Sequence, residues 1–138
     1  MPEQETRIYF DTNIIVYLLE GESALRELAA QAIVRFADEA HVLVSSELAL
    51  AECLHGAYRQ NRLRTADAYR KLLLDSGDFM TVSLSLNIFE LGAKIAAQHR
   101  MKLLDALHLA CALHSGCTVF LTNDKRLHAF DGLEVRGL

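Results

Sequence analysis

Short apolar runs alternate with longer amphipathic stretches along this chain. RIYF (7–10), HVLV (41–44), FMTVSL (79–84), TVFLT (118–122) and LEVRG (133–137) are brief and largely apolar, which predicts buried strands. Between them the apolar residues fall at helical spacing. Residues 12–19 predict a short helix closed near Gly21. Leu25, Leu28, Ala29, Ala32, Ile33 and Phe36 predict a longer one over 23–38, with Ser23 as its cap. Ser45 or Ser46 can cap the next helix, with Leu48, Ala51 and Leu54 on its apolar face and Glu52 on a flank. Further helices are expected over 65–74, from a cap at Ser85 to about residue 99 or 100, and over 103–114, where Gly116 supplies a left-handed cap. A helical turn is expected after Asp124.

Strands that alternate with helices imply a parallel sheet covered on both faces. The expected fold class is therefore α/β, a three-layer α/β/α sandwich around a short-stranded parallel sheet. At 138 residues it fits one domain spanning 1–138, with a core that needs no disulfide or structural zinc. The formal charge of −4 offers no global basic field for nucleic acid, although charge can still be locally asymmetric. Cys53, Cys111 and Cys117 form no CxxC pair and no zinc spacing, so they read as reduced, buried thiols of a cytoplasmic protein. The polar start MPEQETR gives no sign of a signal peptide, and no apolar run approaches a membrane span.

Four carboxylates change this bland picture. Asp11, Glu52, Asp105 and Asp124 each stand at the edge of an apolar segment, where an unpaired charge is costly. No Lys or Arg is adjacent to Asp11, Glu52 or Asp105. Asp11 and Asp124 follow strand C-termini, Glu52 lies two turns into a helix, and Asp105 sits in a first helical turn, where the dipole favours it. Parallel α/β folds gather their sites at that end of the sheet. Four acids meeting there would repel one another, and a divalent cation removes the repulsion. An all-oxygen acidic site suits Mg²⁺ or Mn²⁺. Each acid also has an ordinary reading: Asp11 and Asp105 as helix-start residues, Glu52 as a solvent-facing side chain, Asp124 in an Asx turn. Lys125 and Arg126 directly follow Asp124 and offer it other partners.

IYFDTNIIVYLL, SELALAECLHG, LLDALHLACAL and FLTNDKRL, in this order, resemble the four signature segments of the PIN domain family. The match spans almost the whole chain and is especially similar to the VapC-type toxins of bacterial toxin–antitoxin pairs. That resemblance implies an acidic metal site of Asp11, Glu52, Asp105 and Asp124, with Asn13 and Thr122 in support. It also implies a metal-dependent endoribonuclease that cuts RNA, a homodimer, and a small antitoxin partner whose tail can enter the acidic site, sometimes with an Arg. Carboxylate-held metal is suited to phosphodiester hydrolysis, because it binds a phosphate oxygen and activates water.

The remaining polar residues say less. Arg59, Arg62, Arg64, Arg70 and Lys71, against Asp67 alone, form the best candidate for a phosphate track, and equally read as a solvated helix hairpin. His108, one turn after Asp105, could face the site but reads first as a structural polar residue. Tyr17, Leu18, Leu19, Leu25, Leu28 and Ile33 offer more apolar surface than two short helices need, which leaves core packing, a dimer face and a partner groove open. A haloacid-dehalogenase phosphatase needs an Asp at the position of Asn13. A receiver domain needs one after its third strand, whereas Asp78 precedes it. The stronger rival is a PIN-like module that binds RNA or a partner without cutting.

Overall fold

A computed structural model describes residues 5–138 of the chain. Residues 1–4, which open the polar MPEQETR stretch, lie outside the described residues. Five strands, β1 (Arg7–Phe10), β2 (Val42–Ser46), β3 (Met80–Val82), β4 (Val119–Leu121) and β5 (Glu134–Arg136), form one sheet in the order β3-β2-β1-β4-β5. Every neighbouring pair is parallel. Six α-helices accompany them among the described residues: α1 (Thr12–Glu20), α2 (Ser23–Asp38), α3 (Glu47–Arg59), α4 (Leu63–Arg70), α5 (Leu86–His99) and α6 (Leu103–His114).

Strand alternation divides the core into two layers. Ile8, Phe10, Leu43, Val119 and Leu121 point to one face, where Ile14, Ile15, Phe36, Leu50 and Tyr69 cover them. Tyr9, Val44 and Phe120 point to the other, under Ile88, Ile95, Leu109 and Ala110 of α5 and α6. Phe10 sits edge-on to Phe36 and Phe79, while Tyr9 stacks on Phe120 at 5.2 Å. Each large side chain buried this way contributes about 1.5–3 kcal/mol. Helices α5 and α6 pack closely enough that a Cβ on Gly92 would lie 2.5 Å from Leu107 Cδ2.

Several local expectations need correction. Glu22, not Ser23, occupies the cap position of α2, and it makes no side-chain cap bond. Ser46 does cap α3, accepting from the Ala49 N–H. The buried face of α3 is Ala49, Leu50, Cys53 and Ala57; of the expected Leu48, Ala51 and Leu54, Leu54 packs partly buried against the core and Ala51 is exposed. The helix expected over 65–74 starts at Leu63, and Lys71–Asp75 widens into a π-turn. Strand β3 is shorter than FMTVSL, and a single turn follows Asp124, closed by the Leu127 N–H on the Asp124 carbonyl at 3.2 Å. Gly116 adopts a positive φ of 76° just past α6, as a left-handed cap requires. Tyr17, Leu18, Leu19 and Ile33 pack partly buried against the core, which uses most of the surplus apolar surface, although Leu28 and Val34 remain exposed. Among the described residues no helix is long and apolar enough to cross a membrane.

Candidate active site

The sheet order reverses between β1 and β4, and the carboxyl ends of these two strands carry Asp11 and the Thr122-Asn123-Asp124 segment. The Asp11 N–H donates to the Leu121 carbonyl at 3.0 Å, which stitches the two ends together. Asp11 also caps α1 through a bond from the Thr12 N–H at 2.8 Å. Its other oxygen accepts from the Thr122 hydroxyl at 2.7 Å and the Asn13 amide at 3.4 Å. Asn13 donates to Thr122 Oγ1 as well and accepts from the Asn123 N–H at 3.2 Å. The Asp124 N–H donates to Thr122 Oγ1 at 3.0 Å. Asp11 is therefore both a helix cap and an oriented carboxylate, so its ordinary and functional readings coexist.

Asp11, Asp105 and Asp124 line one cavity of about 400 Å³. Asp105 reaches it from the first turn of α6. Arg126 folds back across the acids: its guanidinium holds Asp124 at 2.5–3.1 Å and lies 3.7 Å from Asp105. The Arg126 backbone N–H bonds Asp124 too. These contacts hold the Asp124 carboxyl below the usual aspartate range despite some burial.

Glu52 stands beside this group rather than in the cavity lining. It accepts from the Thr12 hydroxyl at 2.8 Å and bonds His108 Nε2. Burial pushes its carboxyl up, but the His108 hydrogen bond, the His108 charge and the Thr12 hydroxyl outweigh that and leave it below the ordinary glutamate value. His108 is 4% exposed, and its Nε2 also lies 3.9 Å from Asp11. A carboxylate can only accept, so Nε2 carries a proton toward Glu52. In the neutral ring Nδ1 then accepts from the Tyr9 hydroxyl at 2.7 Å, and that hydroxyl meets Ser46 Oγ at 2.7 Å. His108 is thus a buried, satisfied residue that also links Glu52 to the neighbourhood of Asp11.

The donor chemistry fits a divalent cation: four carboxylates, with amide and hydroxyl oxygens around them and no thiolate. A positive group already bridges Asp124 and Asp105, which shows that this place stabilises positive charge. As they stand, no three His, Cys, Asp or Glu side chains among the described residues converge as an ion-binding group. Arg126 holds Asp124, and His108 holds Glu52. The cysteines offer no nucleophile, since burial pushes Cys53 and Cys117 up to about 12 and Cys111 up to about 11.

Arg59, Arg62 and Arg64 do not line the cavity. Arg62 pairs with Glu20 at 3.1 Å, and Tyr69 bonds the same carboxylate. The cations that do line it are Arg100, Lys102 and Arg126. His108, read from the sequence first as a structural residue that could face the site, is both, as its one-turn spacing from Asp105 allowed. Sequence reasoning passed over Tyr9, Thr12, Arg100 and Lys102, which had no signal, because tertiary packing alone brings them in.

A parallel sheet in this order, with acids at its switch point, defines a PIN-like α/β protein. The PIN domain profile matches residues 8–133, and the chain belongs to that family. No curated protein is a significant match. Among solved structures the chain is similar to a toxin–antitoxin complex from Klebsiella pneumoniae, at 26% identity and a TM-score of 0.68, covering 92% of this chain and 95% of that one. It shares its fold with VapBC2 from Rickettsia felis bound to a promoter DNA fragment, at 13% identity and a TM-score of 0.74, covering 96% and 98%. It also shares its fold with VapC20 of Mycobacterium tuberculosis, a Sarcin-Ricin loop cleaving toxin, at 20% identity and a TM-score of 0.67, covering 91% and 90%.

Proposed function

We propose that this chain is a divalent-metal-dependent endoribonuclease, the toxin of a toxin–antitoxin pair, acting in the cytoplasm as a homodimer of single PIN-like domains spanning 1–138. The observation that carries this reading is the placement of Asp11, Asp105 and Asp124 on one cavity at the sheet's switch point. Similarity to toxin–antitoxin complexes supports the small antitoxin partner.

In this reading Asp11 and Asp105 would hold Mg²⁺ or Mn²⁺ directly, with Glu52 and Asp124 in support. Such an ion would supply charge for a phosphodiester oxygen and a more acidic water for attack. Thr122 and Asn13 fix the rotamer of Asp11, so its oxygens are oriented before substrate arrives. His108 and Thr12 keep Glu52 ionised and aimed, ready to hold or accept a proton from water at its carboxylate. One observation favours the alternative of a silent binding module: Arg126 already neutralises Asp124 and approaches Asp105.

Cleavage of total RNA by the purified protein with Mg²⁺ or Mn²⁺, beside Asp105→Asn and an EDTA control, separates the two. Discrete fragments that require both metal and Asp105 are expected. Intact RNA from a wild-type preparation free of antitoxin that still binds metal would favour the silent module.

A further inference from the structure

The cavity that holds the acids has a second, basic side. Asp11, Asp105 and Asp124 line it together with Arg100, Lys102 and Arg126, three acids against three bases. Arg126 is committed to Asp124 and Asp105. Arg100 and Lys102 are exposed, and among the described residues neither side chain makes an ion pair or hydrogen bond to an acid. Their position is set by the tight link between α5 and α6. Arg100 takes the left-handed conformation, φ 52° and ψ 45°, and its N–H closes on the Ala96 carbonyl. The Met101 N–H bonds the same carbonyl at 3.2 Å. Lys102 is then the cap residue of α6, one turn before Asp105.

Arg100 and Lys102 therefore keep their hydrogen-bond donors free to meet an anion that enters the cavity. A divalent ion on the acids would make the cavity net positive. We propose that Arg100 and Lys102 form a subsite for an RNA backbone phosphate next to the scissile one. This inference rests on the nuclease reading above and deepens it. The cavity is large enough for a nucleotide, at about 400 Å³. Met101 and Leu127 line it beside the cations and leave an apolar surface for sugar or base. The arginines at 59, 62 and 64 lie outside it, and Arg62 is bonded to Glu20. The α5–α6 link, not the α3–α4 link, is then the phosphate track.

The test is fluorescence anisotropy of a labelled single-stranded RNA 12-mer in Mg²⁺ over a series of salt concentrations. Every protein carries Asp105→Asn so that the RNA is not consumed. Each phosphate contact on single-stranded nucleic acid contributes about 0.7 to the slope of log affinity against log salt. Arg100→Gln/Lys102→Gln removes the contact to that one phosphate and is expected to make the slope shallower by about 0.7, with an unchanged melting temperature. Arg59→Gln/Arg64→Gln is expected to leave it nearly unchanged. An unchanged slope in the first pair, or a larger drop in the second, overturns the subsite. If the wild-type chain cleaves RNA while the first pair binds like its Asp105→Asn parent, the subsite fails and the nuclease reading stands. If the wild-type chain does not cleave RNA and the Asp105→Asn parent does not bind it, both fail.

Discussion

Tyr9→Phe removes one oxygen from the centre of the molecule, and the structure says what that oxygen holds. Tyr9 is fully buried, and its hydroxyl lies 2.7 Å from both Ser46 Oγ and His108 Nδ1. Burial holds its phenol well above the ordinary tyrosine value, so it stays protonated at working pH. Ser46 keeps a partner in the substitution, because its oxygen still accepts from the Ala49 N–H at 3.1 Å. His108 does not: its Nδ1 loses its bond inside a site where the ring is almost inaccessible to water. A buried acceptor left unpaired costs about 1–3 kcal/mol. Tyr9→Phe should therefore lower unfolding stability by about 1–3 kcal/mol in urea, with the m-value unchanged. Tyr17→Phe, at a half-buried ring, is the control and should cost under about 0.5 kcal/mol, as substitutions away from such features do. RNA cleavage should fall as well, because the His108 ring that bonds Glu52 through Nε2 loses its anchor at Nδ1. Equal stability in the two Phe variants would refute the buried Tyr9–His108 link.

Other expectations follow from single contacts. Gly92→Ala places its Cβ 2.5 Å from Leu107 Cδ2 and 3.3 Å from the Leu107 backbone, which cannot retreat far. Overpacking should outweigh the gain in helix propensity and cost about 1–2 kcal/mol, and a raised melting temperature would contradict the close α5–α6 contact. Glu52 has its folded pKa lowered, so its contribution to stability is present above the unfolded glutamate value and disappears as pH falls through the folded one. Glu52→Gln should flatten the acid limb of the pH–stability curve, and an unchanged limb would rule out the His108–Thr12 clamp. Arg126→Gln frees Asp124 and Asp105, so Mn²⁺ should bind about two- to fivefold more tightly by calorimetry, the range of an exposed ion pair. Weaker or equal binding would mean that Arg126 does not compete for the acids.

The alternating pattern made the sheet legible, since β1 is the RIYF run and the others lie within or beside their apolar runs. The places where sequence misled are those that local periodicity does not govern. Helix α3 could turn either Leu48 or Leu50 inward, and its contact with α1 and the sheet selects Leu50. Asp11 was visible at the end of β1, but its bonds to Thr122 and Asn13 span more than a hundred residues in the first case and two in the second. Lys125 and Arg126 were both visible beside Asp124, yet only the fold decides that Arg126 turns back across Asp105. His108 looked like a structural residue because one turn of spacing reveals proximity to Asp105 and not the bond to Glu52 on another helix.

The central claim is that the acids at the β1–β4 switch point hold a divalent cation. Titration of the apo protein with Mn²⁺ by isothermal calorimetry, beside Asp11→Asn/Asp105→Asn shown to be folded by circular dichroism, tests it without relying on any substrate. Saturable binding to the wild-type chain and its loss in the double variant are expected. The same isotherm for both proteins would contradict the claim.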